Sequence, residues 1–412
     1  MSNLEILLSS EATGQMWNIC LWDPQTGSTL KTYKGHASKA KTTGFVSNTF
    51  LVSAQPTKPL LNVWNLNKHE QKPLKYITPG NLHSLSPSPC GHYLVGTADE
   101  RIYLWQTCNG KLLKLLNNGH YQRINVVKFT PDSSQFVTAG EDGNVIVWFL
   151  NNSQPRFCWS HHSLGVTDLV IGHGDSGLTA RVFTASKDQT AKVYCLNSGQ
   201  MLLDIEFNSM LTSLAVDSAE ESGFVGTKEG VIQSFSLKSA PRDLKLSESE
   251  GAGNTFKGHS SAVTCLSVSM DGQVLASGSE DCNVKLWHIK SRQCIRVLPH
   301  KGAITTLFFM LPKRGMLVPE DFQADRTLSL LEKTVMDKSV IHSDLFSLDI
   351  ICNENDKNQV KELSARAFLT SGSGSESFKA THTDEVDHDQ VKHLKSINHK
   401  LYEAAAKAIL KE

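Results

Sequence analysis

The chain lacks an excess of charge and a long apolar run, and each absence argues against a class of protein. It has 412 residues with 41 acidic and 41 basic side chains, so its formal net charge is zero. Balanced charge argues against bulk electrostatic capture of DNA or RNA, although a local basic patch remains compatible with it. The longest apolar run, AITTLFFML, is too short to cross a bilayer, so we expect no membrane association.

Cysteine pairs and targeting signals are also missing. The nine cysteines include no Cys-x-x-Cys pair. Cys20, Cys265, Cys282 and Cys294 fall in or beside strand-like segments, which favours free thiols in a reducing compartment over disulfides or zinc. The first ten residues lack the charged start and apolar core of a signal peptide. We therefore expect a soluble intracellular protein.

An aromatic residue that closes an apolar strand recurs along most of the chain. Successive positions are 41 to 52 residues apart, and turn sequences such as PDSS and MDGQ separate the strands between them. Seven units of this length predict an all-β fold, a seven-bladed WD40 β-propeller in which each unit is a four-stranded blade. The recurring positions are Trp22, Trp64, Trp105, Trp148, Tyr194, Phe235 and Trp287.

Four positions recur at matching places in three of these units. The pattern resembles the His–Ser/Thr–Asp–Trp network of WD repeats, in which hydrogen bonds run from the Asp through the His to the aromatic side chain inside the blade. Because the polar groups satisfy one another, they can be buried, and we interpret them as structural rather than catalytic or metal-binding. The three sets are His120, Thr138, Asp142 and Trp148; His162, Thr184, Asp188 and Tyr194; and His259, Ser277, Asp281 and Trp287.

The remaining units are predicted to carry the network incompletely. Tyr194 can still supply a hydroxyl, whereas Phe235 has none, so we expect the sixth blade to lack the network. Blades one to three are expected to have it only in part. In the second unit His36 lies correctly ahead of Trp64, but Lys58 takes the place of the Asp.

The first unit begins one strand too late to be a complete blade. Residues 303–311 read as an inner strand without partners of its own, and we predict that this strand completes the first blade. Closing the ring in this way removes the open sheet edges that would otherwise aggregate. The propeller then occupies residues 1–312. Within it, the polar segment 238–254 is either a tolerated surface loop or a contact with a partner.

The C-terminal part of the chain has a different pattern. Residues 313–384 are predicted to be an irregular extension and linker, in which DLFSLDIIC could add a strand to the propeller. Residues 385–412 are predicted to form a C-terminal α-helix with coiled-coil spacing, and an Asn within the seam can fix a two-stranded register. The chain is then a homodimer through this helix, or the helix docks on its own propeller. The spaced positions are Val391, Leu394, Asn398, Leu401, Ala405 and Ala408.

Candidate chemistry is weak throughout the sequence. The GDSG stretch at residues 174–177 lies at a predicted hairpin tip, and no second motif supplies the His and Asp roles of a serine hydrolase. His388 and His393 lie near carboxylates, but five residues apart on a helix they point to different faces, so a solvated stretch is favoured over a metal site. We therefore predict no enzyme activity, no metal site and no cofactor.

Several segments resemble the WD repeat-containing protein 18 family, the WD-repeat subunits of Rix-type ribosome-assembly complexes. The likeness covers nearly all of the predicted propeller and returns in the tail at VKHLKSINHKLYE, whereas residues 312–384 do not match clearly. The propeller segments are ICLWDPQTGSTLKTYKG, LWQTCNGKLL, GHYQRINVVKFTPDSSQFVTAGEDGNVIVW, HHSLGVTDL, SKDQTAKVY, TFKGHSSAVTCLSVSMDGQVLASGSEDCNVKLW and RQCIRVL.

The resemblance implies a non-enzymatic scaffold in the nucleus, in both nucleolus and nucleoplasm. Its implied partners are the helical-repeat subunits of the Rix-type complex, the AAA ATPase midasin and the late pre-60S particle, and its implied role supports processing of the internal transcribed spacer of ribosomal RNA. Direct RNA contact stays open. The implied dimer helix uses Val391, Leu394, Ile397, Asn398, Leu401 and Ala405, although the small residues in YEAAAKAIL depart from a bulky seam.

Two other classes of function remain as alternatives. A substrate receptor of a ubiquitin ligase, or a generic adaptor of another complex, is compatible with a propeller, but we find no adaptor-binding helical segment ahead of the first strand. An enzyme has only the weak motifs above in its favour. The fold alone does not choose among these functions.

Overall fold

The computed structural model describes residues 5–14, 18–47, 49–66, 73–117, 119–172, 180–237, 245–247, 255–312 and 328–333. All regular secondary structure in these ranges is β-strand, arranged in seven sheets of four strands, one of which gains a fifth. The predicted all-β, seven-bladed WD40 propeller is therefore confirmed. The predicted C-terminal helix, residues 385–412, and the DLFSLDIIC segment lie outside the described residues. In the described ranges no helix is both long and apolar enough to span a bilayer.

Each blade takes its four strands consecutively from the chain, except for the first blade and the last strand of the sixth. Blade 1 has β1 Ile6–Glu11, β2 Ile19–Trp22, β3 Thr29–Tyr33 and β29 Ile304–Met310; blade 2 has β4 Gly44–Val46, β5 Phe50–Ala54, β6 Leu60–Asn65 and β7 Leu74–Ile77; blade 3 has β8 Ser84–Pro87, β9 Tyr93–Ala98, β10 Arg101–Gln106 and β11 Leu112–Leu116; blade 4 has β12 Ile124–Phe129, β13 Gln135–Gly140, β14 Val145–Phe149 and β15 Pro155–Trp159; blade 5 has β16 Val166–Ile171, β17 Arg181–Ser186, β18 Thr190–Cys195, β19 Met201–Glu206 and β23 Lys245–Ser247; blade 6 has β20 Leu211–Val216, β21 Ser222–Thr227, β22 Val231–Ser236 and β24 Thr255–Lys257; blade 7 has β25 Val263–Val268, β26 Val274–Ser279, β27 Asn283–His288 and β28 Cys294–Pro299.

The middle strands of a blade are buried on both faces because neighbouring blades stack against them. All six residues of β13, QFVTAG, are buried. By contrast, the outer strand β28, CIRVLP, has one buried residue and is otherwise exposed or half-buried. This difference explains why the sequence shows continuous apolar runs in the middle strands and mixed runs at the rim.

The ring is closed by the last strand of the propeller. β29 pairs antiparallel with β1, from Ile6 opposite Met310 to Glu11 opposite Ile304. The prediction that the segment around residues 303–311 completes the first blade is therefore confirmed. Because β1 and β29 are neighbours in one sheet, unfolding of either end of the propeller exposes an edge strand.

Side chains near the start of several inner strands connect one blade to the next. The Asn125 amide donates to the Val166 carbonyl at 2.8 Å, and the Thr212 hydroxyl donates to the Val263 carbonyl at 2.6 Å. The Thr264 hydroxyl makes the same contact with Ile304 across the closure, also at 2.6 Å. Each of these three bonds satisfies the carbonyl of the first residue of the next inner strand and ties two neighbouring inner strands together.

The polar insertion 238–254 is more than the surface loop considered from the sequence. Residues Lys245–Ser247 form β23, which pairs in parallel with β19 at the outer edge of blade 5. In chain order β23 lies between β22 and β24, which both belong to blade 6, but it pairs with blade 5. It therefore covers an otherwise open sheet edge.

Residues 328–333, which we call the return segment, pack on blades 2 and 3. The Tyr76 hydroxyl donates to the Leu328 carbonyl at 2.9 Å, and the Glu332 amide donates to the Gly110 carbonyl at 2.8 Å. Leu328 and Leu331 are buried in the same apolar cluster as the side chains of Tyr103 and other residues of these blades. No motif in the sequence predicted this docking.

Candidate functional site: blade networks and the central channel

The polar residues predicted for blade 4 lie in one continuous hydrogen-bonded chain. The Trp148 indole N–H donates to the Thr138 hydroxyl at 2.9 Å, and Thr138 Oγ1 lies 2.8 Å from His120 Nε2. His120 Nδ1 lies 3.1 Å from each carboxylate oxygen of Asp142. One direction of donation satisfies every member: indole to hydroxyl, hydroxyl to Nε2, and Nδ1–H to the carboxylate.

The carboxylate at the end of this chain is held in its charged form. Burial by itself would raise the pKa of Asp142, but the hydrogen bond from His120 and the backbone amides of Asn144 and Tyr121 outweigh it and lower the pKa. Asp188 and Asp281 also have lowered pKa values for the same reasons. A buried Asp with this many donors serves as a turn anchor rather than as a proton acceptor near neutral pH.

Blade 7 repeats the arrangement of blade 4 with Ser in place of Thr. The Trp287 indole donates to Ser277 at 2.8 Å, Ser277 lies 2.7 Å from His259 Nε2, and His259 Nδ1 lies 2.8 Å from Asp281. Burial lowers the pKa of His259 despite its carboxylate partner, so the ring is neutral near pH 7. The side chain of Asp281 is 8% exposed and that of His259 is fully buried, so the network meets solvent at its Asp end.

Blade 5 forms only part of the predicted chain. His162 lies 2.9 Å from Asp188 and 2.8 Å from Thr184. The Tyr194 hydroxyl, however, has no hydrogen-bond partner among the described residues, so the expectation that it joins the network is wrong. The ring of Tyr194 stacks on Trp159 instead, with centroids 4.3 Å apart. Thr184 bonds to His162 and to the Lys192 carbonyl, and it makes no hydrogen bond with Tyr194 among the described residues.

Blade 1 uses a histidine that the sequence analysis did not assign. The Trp22 indole donates to Ser9 at 2.8 Å, and Ser9 lies 3.3 Å from His300 Nε2. His300 Nδ1 lies 4.0 Å from the Glu11 carboxylate, beyond hydrogen-bond distance, and burial lowers the pKa of His300 to about 4. A signal was present, because His300 precedes its inner strand by four residues, the same offset as in the blades with complete networks.

Blades 2 and 3 satisfy their tryptophans with backbone carbonyls. The Trp64 indole donates to the Lys34 carbonyl at 2.9 Å, and His36 contacts Lys75 rather than a carboxylate. The Trp105 indole donates to the Glu332 carbonyl of the return segment, also at 2.9 Å. In blade 3 the position equivalent to Thr138 is Gly96, which has no hydroxyl to offer.

Blade 6 replaces the network with apolar side chains. Phe235 takes the aromatic position, and Val225 occupies the place that Thr138 has in blade 4. Phe235 packs edge-on against Phe207, with centroids 6.1 Å apart. Exchanging both partners of a buried hydrogen bond for apolar groups leaves nothing unsatisfied, so this blade can do without the network.

The channel through the ring is bridged by an ion pair between distant blades. Lys41, just before β4, lies 3.1 Å from Asp168 of β16, and the other oxygen of Asp168 accepts the Leu214 amide at 2.9 Å. These contacts join blades 2, 5 and 6 across a channel of about 380 Å³.

In the described ranges no group of three His, Cys, Asp or Glu side chains is arranged to hold a metal ion. The GDSG stretch and the pair His388 and His393 lie outside those ranges.

The sequence was compared with known protein families and with curated proteins. The WD domain, G-beta repeat family model matches residues 110–148 and 252–288. WD repeat-containing protein 18 of Mus musculus is 38% identical over 328 residues, which cover 77% of this chain and 75% of the mouse protein. The chain belongs to the WD repeat-containing protein 18 family.

Two more distant relatives of this chain are named for pre-rRNA processing. Pre-rRNA-processing protein pro-1 of Caenorhabditis elegans is 28% identical over 327 residues, covering 74% of this chain and 61% of that protein. Pre-rRNA-processing protein IPI3 of Yarrowia lipolytica is 32% identical over 306 residues, covering 69% and 71%.

The family model matches the two blades whose networks are complete. Residues 110–148 contain the blade 4 set, which ends at Trp148, and residues 252–288 contain the blade 7 set, which ends at Trp287. The other five blades of this WD repeat-containing protein 18 family member reach the same architecture with altered or absent networks. The generic repeat signature therefore describes two blades, whereas the strand pairing describes all seven.

Proposed function

We propose that this chain is a non-enzymatic WD-repeat scaffold subunit of a late pre-60S ribosome-assembly complex in the nucleus, in nucleolus and nucleoplasm. In this proposal it supports processing of the internal transcribed spacer and helps recruit the AAA ATPase midasin. The helical-repeat subunits of the Rix-type complex are its direct partners. The observation that carries the proposal is kinship over most of the chain with WD repeat-containing protein 18 and with relatives named for pre-rRNA processing.

The described geometry supports a binding role rather than a chemical one. The His, Ser/Thr and Asp side chains that could suggest a catalytic triad are directed into the blades, where an indole N–H occupies the end of the chain in blades 4 and 7. His120, His162 and His259 are buried, so a substrate cannot reach them without disrupting a sheet. A closed ring of this kind presents its faces and rim at little ordering cost on binding.

Dimerisation through residues 385–412 completes the proposal. The seam of Val391, Leu394 and Leu401, with Asn398 in a core position, would join two copies and double the contacts available to a particle. Ala405 would continue this seam, and Ile397 would flank it. The physical gain is a higher effective concentration of the second propeller once the first is bound.

The test is affinity purification of the full chain from nuclear extract, with mass spectrometry of proteins and probing of co-purified RNA for spacer-containing precursors. We expect helical-repeat subunits, midasin and spacer-containing RNA to be recovered together. Leu394→Asp and Leu401→Asp should reduce the recovery of a second, differently tagged copy by about tenfold, because each buries a charge in the seam. Ser396→Asp is the matched control, because it lies off the predicted seam.

Two outcomes would contradict the proposal. Recovery of a ubiquitin-ligase adaptor without ribosomal precursors would favour the substrate-receptor alternative. Equal loss of the second copy in Ser396→Asp and in the seam variants would show that the helix is not paired through these positions.

A further inference from the structure

Cationic side chains gather around one mouth of the channel. The loops between blades and the turns between second and third strands lie at the same end of the strands, and they supply Lys39 and Lys41 before β4, Arg123 before β12, and Lys187 between β17 and β18. They line a depression of about 290 Å³ whose charged lining is these four cations and the carboxylate of Glu141. We call this depression the channel-mouth cluster. It is a local basic patch on a chain with no net charge.

Three of the four cations already form an ion pair with a carboxylate of the chain. Arg123 and Lys187 each lie 3.0 Å from Glu141, and Lys41 lies 3.1 Å from Asp168. Burial would raise the pKa of Glu141, but the hydrogen bonds from Lys187 and Arg123 lower it, so this carboxylate is charged. Glu141 shows that the loops of this face can fix a carboxylate between two cations from different blades.

Lys39 is the cation without such a partner. Its ammonium lies 2.7 Å from His83 Nδ1, and it contacts no carboxylate among the described residues. Burial lowers the pKa of Lys39, the nearby charge of Arg123 lowers it further, and the charge of Asp99 offsets only part of this. His83 is neutral near pH 7 because burial and Lys39 lower its pKa, so it accepts from Lys39 and donates to Asp99 at 3.0 Å. An incoming carboxylate would stabilise this half-buried ammonium.

Exposed apolar side chains lie beside the cluster. Tyr121 is 86% exposed and Leu164 is 51% exposed. The Tyr121 amide donates to Asp142, next to Glu141, and the loop that carries Leu164 packs so closely on Glu141 that a Cβ on Gly165 would lie 3.0 Å from its Cα. The two apolar side chains and Glu141 therefore belong to one continuous surface that spans blades 4 and 5.

We propose that the channel-mouth cluster binds an acidic polypeptide segment from a partner protein. An Asp or Glu of the segment lies between Lys39 and Arg123, and a neighbouring aliphatic side chain packs on Leu164 and Tyr121. Both charge complementarity and the apolar rim fit such a segment. An RNA strand would use the cations as phosphate contacts but would gain little from an aliphatic side chain such as Leu164. The proposal concerns the purified chain and does not depend on the assembly function.

The test measures fluorescence anisotropy of labelled probes with the purified full chain. The probes are a peptide of repeated Glu-Leu-Glu-Ser, the same peptide with Ser for Leu, the same peptide with Lys for Glu, and an oligouridine strand of similar length. We expect the Glu-Leu peptide to bind most tightly, and Lys39→Glu to weaken it about tenfold. Leu164→Ser should weaken that peptide about fivefold and leave the Ser-substituted peptide unchanged.

The matched control is Lys290→Glu, which makes the same charge change in an exposed turn between β27 and β28, at the opposite end of the strands. It should leave binding within about twofold of the unmodified chain. Circular dichroism establishes that each variant is folded. The proposal is overturned if Lys290→Glu weakens binding as much as Lys39→Glu, if the peptides do not bind, or if only the oligouridine depends on Lys39.

Discussion

Blades 4 and 7 complete the networks of their buried tryptophans with residues of their own repeat, whereas blades 1 and 3 obtain one partner from a distant part of the chain. Trp148 and Trp287 each reach a hydroxyl on the adjacent strand of the same sheet. Trp105 reaches a carbonyl 227 residues further along, in the return segment, and Ser9 beside Trp22 meets His300, 291 residues away. The fold therefore requires an acceptor for the indole N–H but does not fix which part of the chain supplies it.

The local and the distant networks have different consequences for the stability of a blade. A local network makes its blade independent of other segments, whereas a distant partner couples blade 1 to the closure of the ring and blade 3 to the return segment. Blade 6 shows a third arrangement, because the two network positions hold the apolar side chains of Val225 and Phe235. The coupled blades are the ones in which a change outside the sheet can alter stability.

The largest effect is expected from breaking a local network. Thr138→Val removes the acceptor of Trp148 and the partner of His120, and two buried groups left unsatisfied cost about 2–4 kcal/mol of the free energy of unfolding. Urea denaturation measures this loss. A double variant with Trp148→Phe, which imitates blade 6, should be less destabilising than the sum of the single changes. Full additivity would show that the two side chains do not act together.

A somewhat smaller effect is expected from releasing the return segment. Leu331 is 6% exposed and packs with the side chains of blade 3, so Leu331→Ala should cost about 2–3 kcal/mol in the same measurement. Its neighbour Leu330 is 70% exposed, and Leu330→Ala should change the free energy by less than about 0.5 kcal/mol. Similar costs for the two would mean that the segment does not dock through Leu331.

The closure of the ring should weaken in mild acid. His300 has a folded-state pKa of about 4 against an ordinary value of 6.5, so its contribution to stability is present above about pH 6.5 and is lost as the pH falls towards 4. Between about pH 7 and pH 5 this loss is about 2 kcal/mol. Thermal unfolding across this range should show it, and His300→Gln should flatten the dependence. An unchanged slope in the variant would assign the effect to other groups.

The carboxylates of the local networks titrate in a lower pH range than His300. The pKa values of Asp142 and Asp281 are lowered from the ordinary 3.8, so their stabilisation persists above that value and is lost only as the pH falls below it. A pH titration therefore separates these carboxylates from the histidines, and the His300→Gln variant separates the closure from His259, whose pKa is also lowered.

The smallest effects are expected at two tyrosine hydroxyls. Tyr76→Phe removes the hydrogen bond to the Leu328 carbonyl and should cost about 1 kcal/mol. Tyr194→Phe removes a buried hydroxyl that has no partner among the described residues, so it should be neutral or stabilise the protein by up to about 1 kcal/mol. Urea denaturation of both variants checks the contrast, and a cost at Tyr194 equal to that at Tyr76 would contradict it.

The repeat itself determined the blade count, the closure and the positions of the complete networks. Alternating strands and turns at a spacing near forty residues carry this information locally, because each blade is one self-contained antiparallel sheet. His300 was also within reach of the sequence, since its offset from β29 equals that of His120 from β12. It was missed because it lies in the last unit while its partner Ser9 lies in the first.

Only the tertiary structure decided which distant segments complete the incomplete blades. The use of Glu332 by Trp105, the addition of β23 to blade 5, and the gathering of Lys39, Arg123 and Lys187 at one mouth all join residues far apart in the chain. Their positions follow from the closed ring, which brings every loop of one end onto a single face. Sequence spacing predicts contacts inside a blade. Contacts between blades and with the return segment depend on how the whole ring closes.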